Sequence, residues 1–312
     1  MAARLRRLTQ LLAPDRFGRS VAILAGGTAF GQVIVLAAAP VLTRLYTVDE
    51  IGLFGLFTAF VLVMSLLVTG NYEFAIVSAS NDRDASYLAA IAILLTPLLS
   101  LVGTVILVLL RAKSWLGYGA FPTTGIVLAA VALIASGLFA PTRYWLLRAG
   151  RFSDLSRIVV PQQAGRAGGQ IAFGVAGLGF SGLALGDVFG RLIAAGQAIA
   201  RTSSTIVRNL KPLRREELIR VAWEHRRFPF LSLPSTLLDT IGSLIPLPLV
   251  AQHYGLDAAG YYTLVLRVLS LPSALVGQSV ADAFHTGSQP SRWMSPRQSS
   301  HSSSAPSSGF SR

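Results

Sequence analysis

The sequence predicts an all-α integral membrane protein with about eight transmembrane helices, and two observations support this prediction. First, 52% of the 312 residues are hydrophobic and only 13% are charged, and the mean hydropathy is +0.57. A soluble domain carries roughly 25% charged residues, so this chain has too little charge to cover a surface that faces water. Second, eight segments are long and apolar enough to cross a bilayer, which takes about 20 residues per helix.

The predicted spans follow one another along most of the chain. They cover residues 21–42, 51–70, 87–110, 122–147, 157–177, 180–200, 229–250 and 259–281. We interpret the first as an uncleaved span, because it is too long for the apolar core of a signal peptide and Pro40 would follow the cleavage site. Polar and charged side chains interrupt the fifth and sixth spans, so a buried helical hairpin is the alternative for that pair.

The basic residues predict how the spans are oriented, because Lys and Arg accumulate in cytoplasmic loops. The chain has 27 Lys and Arg against 14 Asp and Glu. Five arginines precede the first span, and others cluster after the fourth and the sixth, whereas the opposite loops hold few basic residues. The sequence therefore predicts a multi-pass protein of the cell (inner) membrane with a cytoplasmic N-terminus.

The spans group into one complete lobe and the beginning of a second. The predicted parts are a basic N-terminus (1–20), a six-helix lobe (21–200), a basic cytoplasmic connector (201–228), the first two helices of a second lobe (229–285) and a Ser-rich tail (286–312). The tail contains no acidic residue and too few apolar residues to bury a core, so we expect it to be disordered.

The connector is predicted to contain an amphipathic helix that starts near Pro212. Leu218, Ile219, Ala222 and Trp223 fall on one face of that helix, and the arginines lie elsewhere. Such a helix lies in the interface of a membrane and is held partly by anionic headgroups. Anionic inner-leaflet lipids are therefore a predicted partner.

Glycines spaced four residues apart predict close helix packing in lipid. The pairs are Gly27 and Gly31, Gly165 and Gly169, and Gly186 and Gly190. A further glycine pattern, Gly177 to Gly182, matches G-x-G-x-x-G. A dinucleotide site would need a preceding strand and an acidic residue about 20 positions later, and the sequence offers neither, so we reject that interpretation.

Charged residues inside the spans are the candidate functional residues, because an ionisable group at membrane depth is costly and faces a partner or a wet cavity. Arg143 is one such residue, to which we assign no role, and Arg166, Arg191 and Arg267 are the deepest cations. A guanidinium binds phosphate oxygens in a bidentate way, so cations that line a cavity suit an anionic, phosphate-bearing cargo. The alternative is structural pairing, above all between Asp187 and Arg191, which are four residues apart.

Acidic residues at the same depth leave two roles open. Glu73, Asp187 and Asp239 are candidates either for a coupling ion or for pairing with an arginine. No catalytic set is visible, and the four histidines have no metal-ligand spacing, so we predict neither an enzyme nor a metal site or cofactor. The chain has no cysteine, which excludes disulfides and thiol chemistry. The basic residues alternate with long apolar runs, and no nucleic-acid-binding motif accompanies them, so nucleic acid is not a predicted partner.

Several stretches resemble, in the same order, bacterial polysaccharide translocases of the O-antigen flippase type, within the multidrug/oligosaccharidyl-lipid/polysaccharide exporter superfamily. They are 27–29 (GTA), 40–54 (PVLTRLYTVDEIGLF), 71–77 (NYEFAIV), 144–146 (YWL), 228–230 (FPF), 233–235 (LPS), 259–262 (AGYY) and 267–272 (RVLSLP). No single stretch is diagnostic, but the ordered set covers about residues 20 to 285 and is fairly specific.

The resemblance implies two six-helix lobes around a cationic cavity, alternating access, and a cargo of oligosaccharide on a polyprenyl pyrophosphate for surface polysaccharide or lipopolysaccharide biosynthesis. It also implies cavity roles for Arg44, Glu73 and Arg267, which lie inside matching stretches. The family would continue with further spans where this chain becomes Ser-rich, so we expect a frameshift or truncation near His285. Translation of the other two frames past that codon should then reveal further apolar spans.

Two other functions compete with a lipid-linked saccharide flippase. A cation-coupled exporter of small drugs on the same fold would be favoured by an acidic cavity, whereas here buried arginines outnumber acids. A membrane-embedded saccharide polymerase or glycosyltransferase would be favoured by a long extracytoplasmic loop or an acidic motif in a soluble domain, and the sequence has neither.

Overall fold

The computed structural model describes residues 14–210 and 214–287, and these residues form helices with no strand among them. This confirms the predicted all-α class. The start of the basic N-terminus, Pro212 and nearly all of the Ser-rich tail lie outside the described residues.

Ten helices make up the described chain. They are α1 (Pro14–Leu45), α2 (Val48–Val68), α3 (Tyr72–Ser78), α4 (Asp82–Ala112), α5 (Thr123–Arg148), α6 (Phe152–Val175), α7 (Gly179–Leu210), α8 (Arg215–Glu224), α9 (Leu233–Leu244) and α10 (Pro246–Gly287). A short 3₁₀ helix (Trp115–Ala120) precedes α5, and a π-helical turn (Phe228–Ser232) precedes α9.

Six stretches of the described residues are long and apolar enough to cross a membrane. They are Ala25–Leu45, Val48–Val68, Asp82–Ala112, Thr123–Arg148, Gly179–Leu210 and Phe228–Arg267. The protein is therefore a multi-pass membrane protein. The predicted fifth span is a helix, α6, but it is too polar to qualify, and the predicted seventh span and part of the eighth fall within the single stretch Phe228–Arg267.

Helix α6 is polar because it is packed between α1 and α7. A β-carbon on Gly31 would lie 3.0 Å from Cγ of Gln163 in α6, and a β-carbon on Gly169 would lie 3.1 Å from Cα of Gly186 in α7. This confirms that the predicted glycine pairs bring helices close together. Polar side chains of α6 are then satisfied inside the protein, as when the amide of Gln170 donates to the carbonyl of Leu183 at 3.1 Å.

Local signals in the sequence explain where several helices begin and end. Thr47 caps α2 in a capping box with Glu50, in which each side chain accepts from the other residue's backbone N–H. Gly150 and Gly177 follow α5 and α6 with φ of 67° and 72°, a conformation that glycine adopts without strain. Gly177 therefore belongs to a turn between two helices, whereas a dinucleotide-binding fingerprint requires a turn between a strand and a helix.

The connections alternate between two ends of the helix bundle. At one end, which we call the basic end, Arg148 in the last turn of α5 forms an ion pair with Asp82 at 3.2 Å, and Arg151 donates to the carbonyl of Arg201 at 3.0 Å. At the opposite end, Thr124 and Ser181 join the starts of α5 and α7 at 3.2 Å. The basic segments after α5 and α7 thus lie at the same end, as predicted, whereas Arg4, Arg6 and Arg7 of the N-terminus lie outside the described residues.

Helix α8 covers the basic end. The face that it buries against the bundle differs from the predicted apolar face. Val221 is fully buried, and Leu218 and Ala222 pack beside it against α3 and α4. Ile219 and Trp223, which were grouped with them in the sequence, are instead exposed. Helix α7 continues to Leu210, into residues that the sequence assigns to the connector.

Arg220 fastens α8 to the bundle. Its guanidinium lies 3.1 Å from Oδ1 of Asp84 in α4 and also pairs with Glu217 at 2.7 Å and Glu224 at 3.0 Å within α8. The hydrogen bond from Arg220 lowers the pKa of the Glu217 carboxyl below its ordinary value. The helix is therefore held to α4 by charge as well as by its apolar face.

The stretch from Phe228 onward is helical but repeatedly interrupted. The π-helical turn leads into α9, Ile245 separates α9 from α10, and Gly255 breaks α10 with φ of 88°. The predicted loop at 251–258 is thus a helix break of a single glycine. Interrupted helices of this kind are frequent in transporters.

Candidate functional site

Asp187 lies at the centre of a buried cluster of charge. Its side chain in α7 is 2% exposed, and its two carboxylate oxygens contact two different arginines. Oδ1 lies 3.0 Å from Nε of Arg166 in α6, and Oδ2 accepts a hydrogen bond from Nε of Arg191 at 2.7 Å. We call these three residues the Asp187 triad. The pairing of Asp187 with Arg191, an alternative from the sequence, is confirmed, and Arg166 joins it.

The close approach of α6 and α7 makes this triad possible. A β-carbon on Gly190 would lie 2.8 Å from Cβ of Arg166 and 2.8 Å from the carbonyl oxygen of Gln162. Only glycine therefore fits at this position without a shift of α6. The small residue lets the base of the Arg166 side chain pass close to α7, so its guanidinium can reach Asp187.

The triad has a net positive charge, because its single carboxylate can neutralise only one of the two guanidiniums. Burying an unpaired charge is costly, and a buried pair is tolerated only when its partners are well placed. The contact between Arg166 and Asp187 is an ion pair in which Nε–H of Arg166 is not aligned with an acceptor. Arg166 therefore retains hydrogen-bonding capacity for another group.

The first cavity beside the triad, which we call the arginine cavity, has a volume of about 320 Å³. Among the described residues that line it, Arg166 and Arg267 are the only charged ones, and most of the others are aliphatic. Arg267 in α10 donates from Nη2 to the carbonyl of Val35 in α1 at 3.3 Å, and the guanidinium of Arg166 lies 5.8 Å from the ring centroid of Phe54 in α2. Two guanidiniums from different helices thus face one apolar cavity.

The second cavity, which we call the polar cavity, has a volume of about 260 Å³. Three charged residues line it, namely Glu73 of α3, Arg143 of α5 and Arg191 of α7. Arg191 donates from Nη1 to the hydroxyl of Ser136 at 2.8 Å. Gln162 and Tyr144 add an amide and a phenol to the wall. This cavity therefore offers both hydrogen-bond donors and acceptors, whereas the arginine cavity offers mainly cationic donors.

The two cavities occupy different halves of the bundle. The arginine cavity is lined by the last turns of α1 and by α2 from Ile51 to Leu62, which lie toward the opposite end. The polar cavity is lined by Ser65 near the end of α2, by α3 and by the second half of α5, which lie toward the basic end. Arg166 lines the first cavity and Arg191 the second. The Asp187 triad therefore stands between them.

The structure gathers five of the seven candidate residues with a predicted role around these cavities. Arg166, Arg267, Arg191, Glu73 and Asp187 line a cavity or hold a residue that does. Arg44 and Asp239 do not: both side chains are exposed, Arg44 in the last turn of α1 and Asp239 on α9.

Gln162 and Tyr144 of the polar cavity were not among the candidate site residues of the sequence. Arg143 was a candidate because it is charged inside an apolar segment, but the sequence assigned it no role. Gln162 had one weaker signal, since it interrupts a predicted span. Tyr144 had none beyond its place in the resembling stretch, because an aromatic residue in a membrane helix is ordinary.

Comparison with known proteins identifies a family. Residues 41–288, more than three quarters of the chain, match a family described as polysaccharide biosynthesis protein. No curated protein and no solved structure matches the chain. The matched range includes both cavities except for the part of α1 that precedes residue 41.

Proposed function

The chain belongs to the polysaccharide biosynthesis protein family, and we propose that its part in that process is transport. It translocates an oligosaccharide linked to a polyprenyl pyrophosphate across the cytoplasmic membrane, by alternating access. It does not make or break a glycosidic bond. The cell (inner) membrane, with the N-terminus in the cytoplasm, is the corresponding location, because the basic loops share one end of the bundle.

The observation that carries this proposal is the pair of guanidiniums in the arginine cavity. A pyrophosphate is a compact anion whose oxygens accept bidentate hydrogen bonds from arginine. Arg166 and Arg267 come from α6 and α10, so a bound pyrophosphate would join helices that are distant in sequence. The surplus positive charge of the triad favours an anion here for the same electrostatic reason.

The apolar lining of the arginine cavity suits the isoprenoid units next to the pyrophosphate. Isoprenoid carbons gain free energy when they leave water for aliphatic walls. A cavity of about 320 Å³ is at the small end of ligand pockets, which span roughly 300–1,000 Å³. It has room for the pyrophosphate and the neighbouring units, while the remaining lipid lies in the bilayer.

Helix α8 gives the protein a second contact with lipid. Trp223 and Ile219 are exposed on the side of α8 that faces away from the bundle, and the guanidinium of Arg226 lies 5.1 Å from the Trp223 ring centroid. Indole rings and arginines are favoured at the level of the headgroups. Anionic lipids of the inner leaflet are the proposed partner of this face.

Complementation tests the transport proposal. The chain is expressed in a strain that lacks its surface-polysaccharide translocase, and surface polysaccharide and inner-leaflet lipid-linked oligosaccharide are both measured. We expect Arg166→Gln and Arg267→Gln to abolish export and to leave the lipid-linked oligosaccharide accumulated. The matched control is Arg111→Gln, which removes a half-buried arginine that donates to the hydroxyl of Thr123 at 2.8 Å outside both cavities.

The competing functions give different results in that experiment. If the protein were a polymerase or glycosyltransferase, the inactive variants would produce a shorter oligosaccharide or none. The finished lipid-linked form would then not accumulate. A small-molecule exporter would change drug tolerance and leave surface polysaccharide unaltered. Either result, with a folded protein in the membrane, would overturn the transport proposal.

A further inference from the structure

The polar cavity is lined by a buried carboxylate, Glu73, one oxygen of which lacks a hydrogen-bond partner among the described residues. The Glu73 side chain is 4% exposed, and Oε2 forms no hydrogen bond within the described part of the chain. The desolvation penalty of a buried charged acceptor without a partner exceeds the net free energy that a typical hydrogen bond contributes to stability. A donor that reaches Oε2 from the cavity would therefore be bound where the described residues supply none.

Arg143 faces the same cavity without satisfying Glu73. Within residues 14–210 and 214–287, Arg143 forms neither a hydrogen bond nor an ion pair, although both residues line the cavity. Arg191 is already held by Asp187 and Ser136. The cavity thus presents an acceptor and a donor that are kept apart, and a ligand must bring complementary groups to both.

Aromatic rings complete the wall of the polar cavity. Phe74 and Tyr144 pack edge to face with ring centroids 5.0 Å apart, and Phe139 lines the cavity beside them. Rings provide rigid apolar faces, and a phenol adds one polar tip. A ligand with one apolar face and several hydroxyl groups matches such a wall better than a small ion does.

Three ligand classes can be compared on charge. A second phosphate would have to lie beside the buried carboxylate of Glu73, and a metal cation would have to lie beside two guanidiniums. A sugar ring is uncharged, and each of its hydroxyls both donates and accepts. It can donate to Glu73, accept from Arg143 and place its C–H face on an aromatic ring.

We propose that the polar cavity is a saccharide subsite that binds one sugar residue of the cargo. The inference rests on the proposed function, because the first sugar of such a cargo is bonded directly to the pyrophosphate. The two cavities are separated by one carboxylate, so Arg166 contacts the pyrophosphate side and Arg191 the sugar side. The volume of about 260 Å³ lies just below the usual range of ligand pockets and accommodates a single ring.

Binding measurements on the purified chain in lipid nanodiscs test the subsite. The probes are polyprenyl pyrophosphate alone and the same lipid carrying one glucose, one galactose or one N-acetylglucosamine. We expect at least one sugar-bearing probe to bind about tenfold more tightly than the bare lipid, which is the scale of one added hydrogen bond to a charged group. Equal affinities of all four probes overturn the subsite.

Two variants locate the sugar. Glu73→Gln and Arg143→Gln each remove one charged partner, and each should reduce the tenfold advantage to less than threefold while leaving the affinity for bare lipid within twofold. Arg111→Gln, outside both cavities, should keep both values. If Glu73→Gln keeps the full sugar advantage but shifts the pH dependence of transport, Glu73 carries a coupling proton and the subsite is rejected.

The same data separate this inference from the transport proposal. A chain that binds none of the four probes, although thermal unfolding shows that it is folded, contradicts the arginine cavity as the pyrophosphate site. A chain that binds bare lipid and sugar-bearing lipid equally contradicts only the saccharide subsite.

Discussion

The arginine cavity and the polar cavity share the Asp187 triad but have different walls. In the first, two guanidiniums face aliphatic side chains, and in the second, a carboxylate, two guanidiniums and an amide face aromatic rings. One buried acid thus supports a cationic site on one side and a site of mixed polarity on the other. The comparison indicates that each half of the bundle recognises a different chemical part of one ligand.

Loss of Asp187 should disturb both cavities and have the largest effect. Asp187→Asn leaves two half-buried guanidiniums without a counter-charge. Removal of one partner of a buried ion pair costs about 3–5 kcal/mol, and the partial exposure of the arginines places the expected cost at the low end. We expect a lower yield of folded protein and a lower unfolding temperature in detergent. Asp239→Asn, which removes an exposed carboxylate from α9, should leave the unfolding temperature unchanged. Equal behaviour of the two variants would show that the triad does not stabilise the bundle.

A substitution at Gly190 should disturb the arginine cavity more than the polar one. The new β-carbon of Gly190→Ala meets Arg166 and the backbone of α6 at 2.8 Å, and overpacking of this kind costs about 1–3 kcal/mol. We expect lower stability and weaker binding of polyprenyl pyrophosphate. Gly196→Ala in the same helix is the control, because nothing lies within 4 Å of its β-carbon, so it should be neutral or slightly stabilising. The contrast between these two alanines is measured by thermal unfolding.

Arg267→Lys should affect the arginine cavity alone. Lysine retains the charge but loses the planar fork, so preference for pyrophosphate over monophosphate should fall by roughly tenfold. The sugar-dependent advantage should stay unchanged, because the polar cavity does not contain this residue. Competition between polyprenyl pyrophosphate and polyprenyl phosphate gives the ratio. A simultaneous loss of the sugar advantage would mean that the two cavities do not act separately.

The smallest expected effect concerns α8, which covers the end nearest the polar cavity. The hydroxyl of Tyr72, beside Glu73, donates to the carbonyl of Ala222 in α8 at 3.4 Å. Because the pKa of Glu217 is lowered in the folded protein, its contribution is present above the ordinary carboxylate pKa and is lost as the pH falls through the lowered value. The protection factors of the backbone amides of 215–224, taken relative to an unstructured peptide at the same pH, should therefore fall slightly on acidification. In Arg220→Gln these protection factors should be lower at neutral pH and less dependent on pH.

Much of the candidate site was visible in the sequence because charge inside an apolar helix is rare. This signal alone identified Arg166, Arg191, Arg267 and Asp187. It gave no means of separating them from Arg44 and Asp239, which the fold leaves on exposed surfaces. Exposure depends on how each helix is rotated against its neighbours, and the periodicity of one helix does not determine that rotation.

Helix α8 shows the same limit at the level of a single face. Leu218 and Ala222 lie close together on a helical wheel, and Ile219 and Trp223 form a second pair about 100° farther round. Only the first pair packs against the bundle. The buried face is centred on Val221, because Arg220 pairs with Asp84 and orients the helix. That ion pair joins residues 136 positions apart, so no local pattern could reveal it.

By itself, the sequence determined that this is an all-α membrane protein, which helices carry charge, and which glycine faces allow close packing. Only the tertiary structure decided that Asp187 serves two arginines and that these arginines face two separate cavities. The physical reason lies in the range of the interactions. Hydrophobicity and i,i+4 pairing act within one helix and can be read along the chain, whereas the meeting of α6 with α7, and of α1 with α10, depends on packing across the whole bundle.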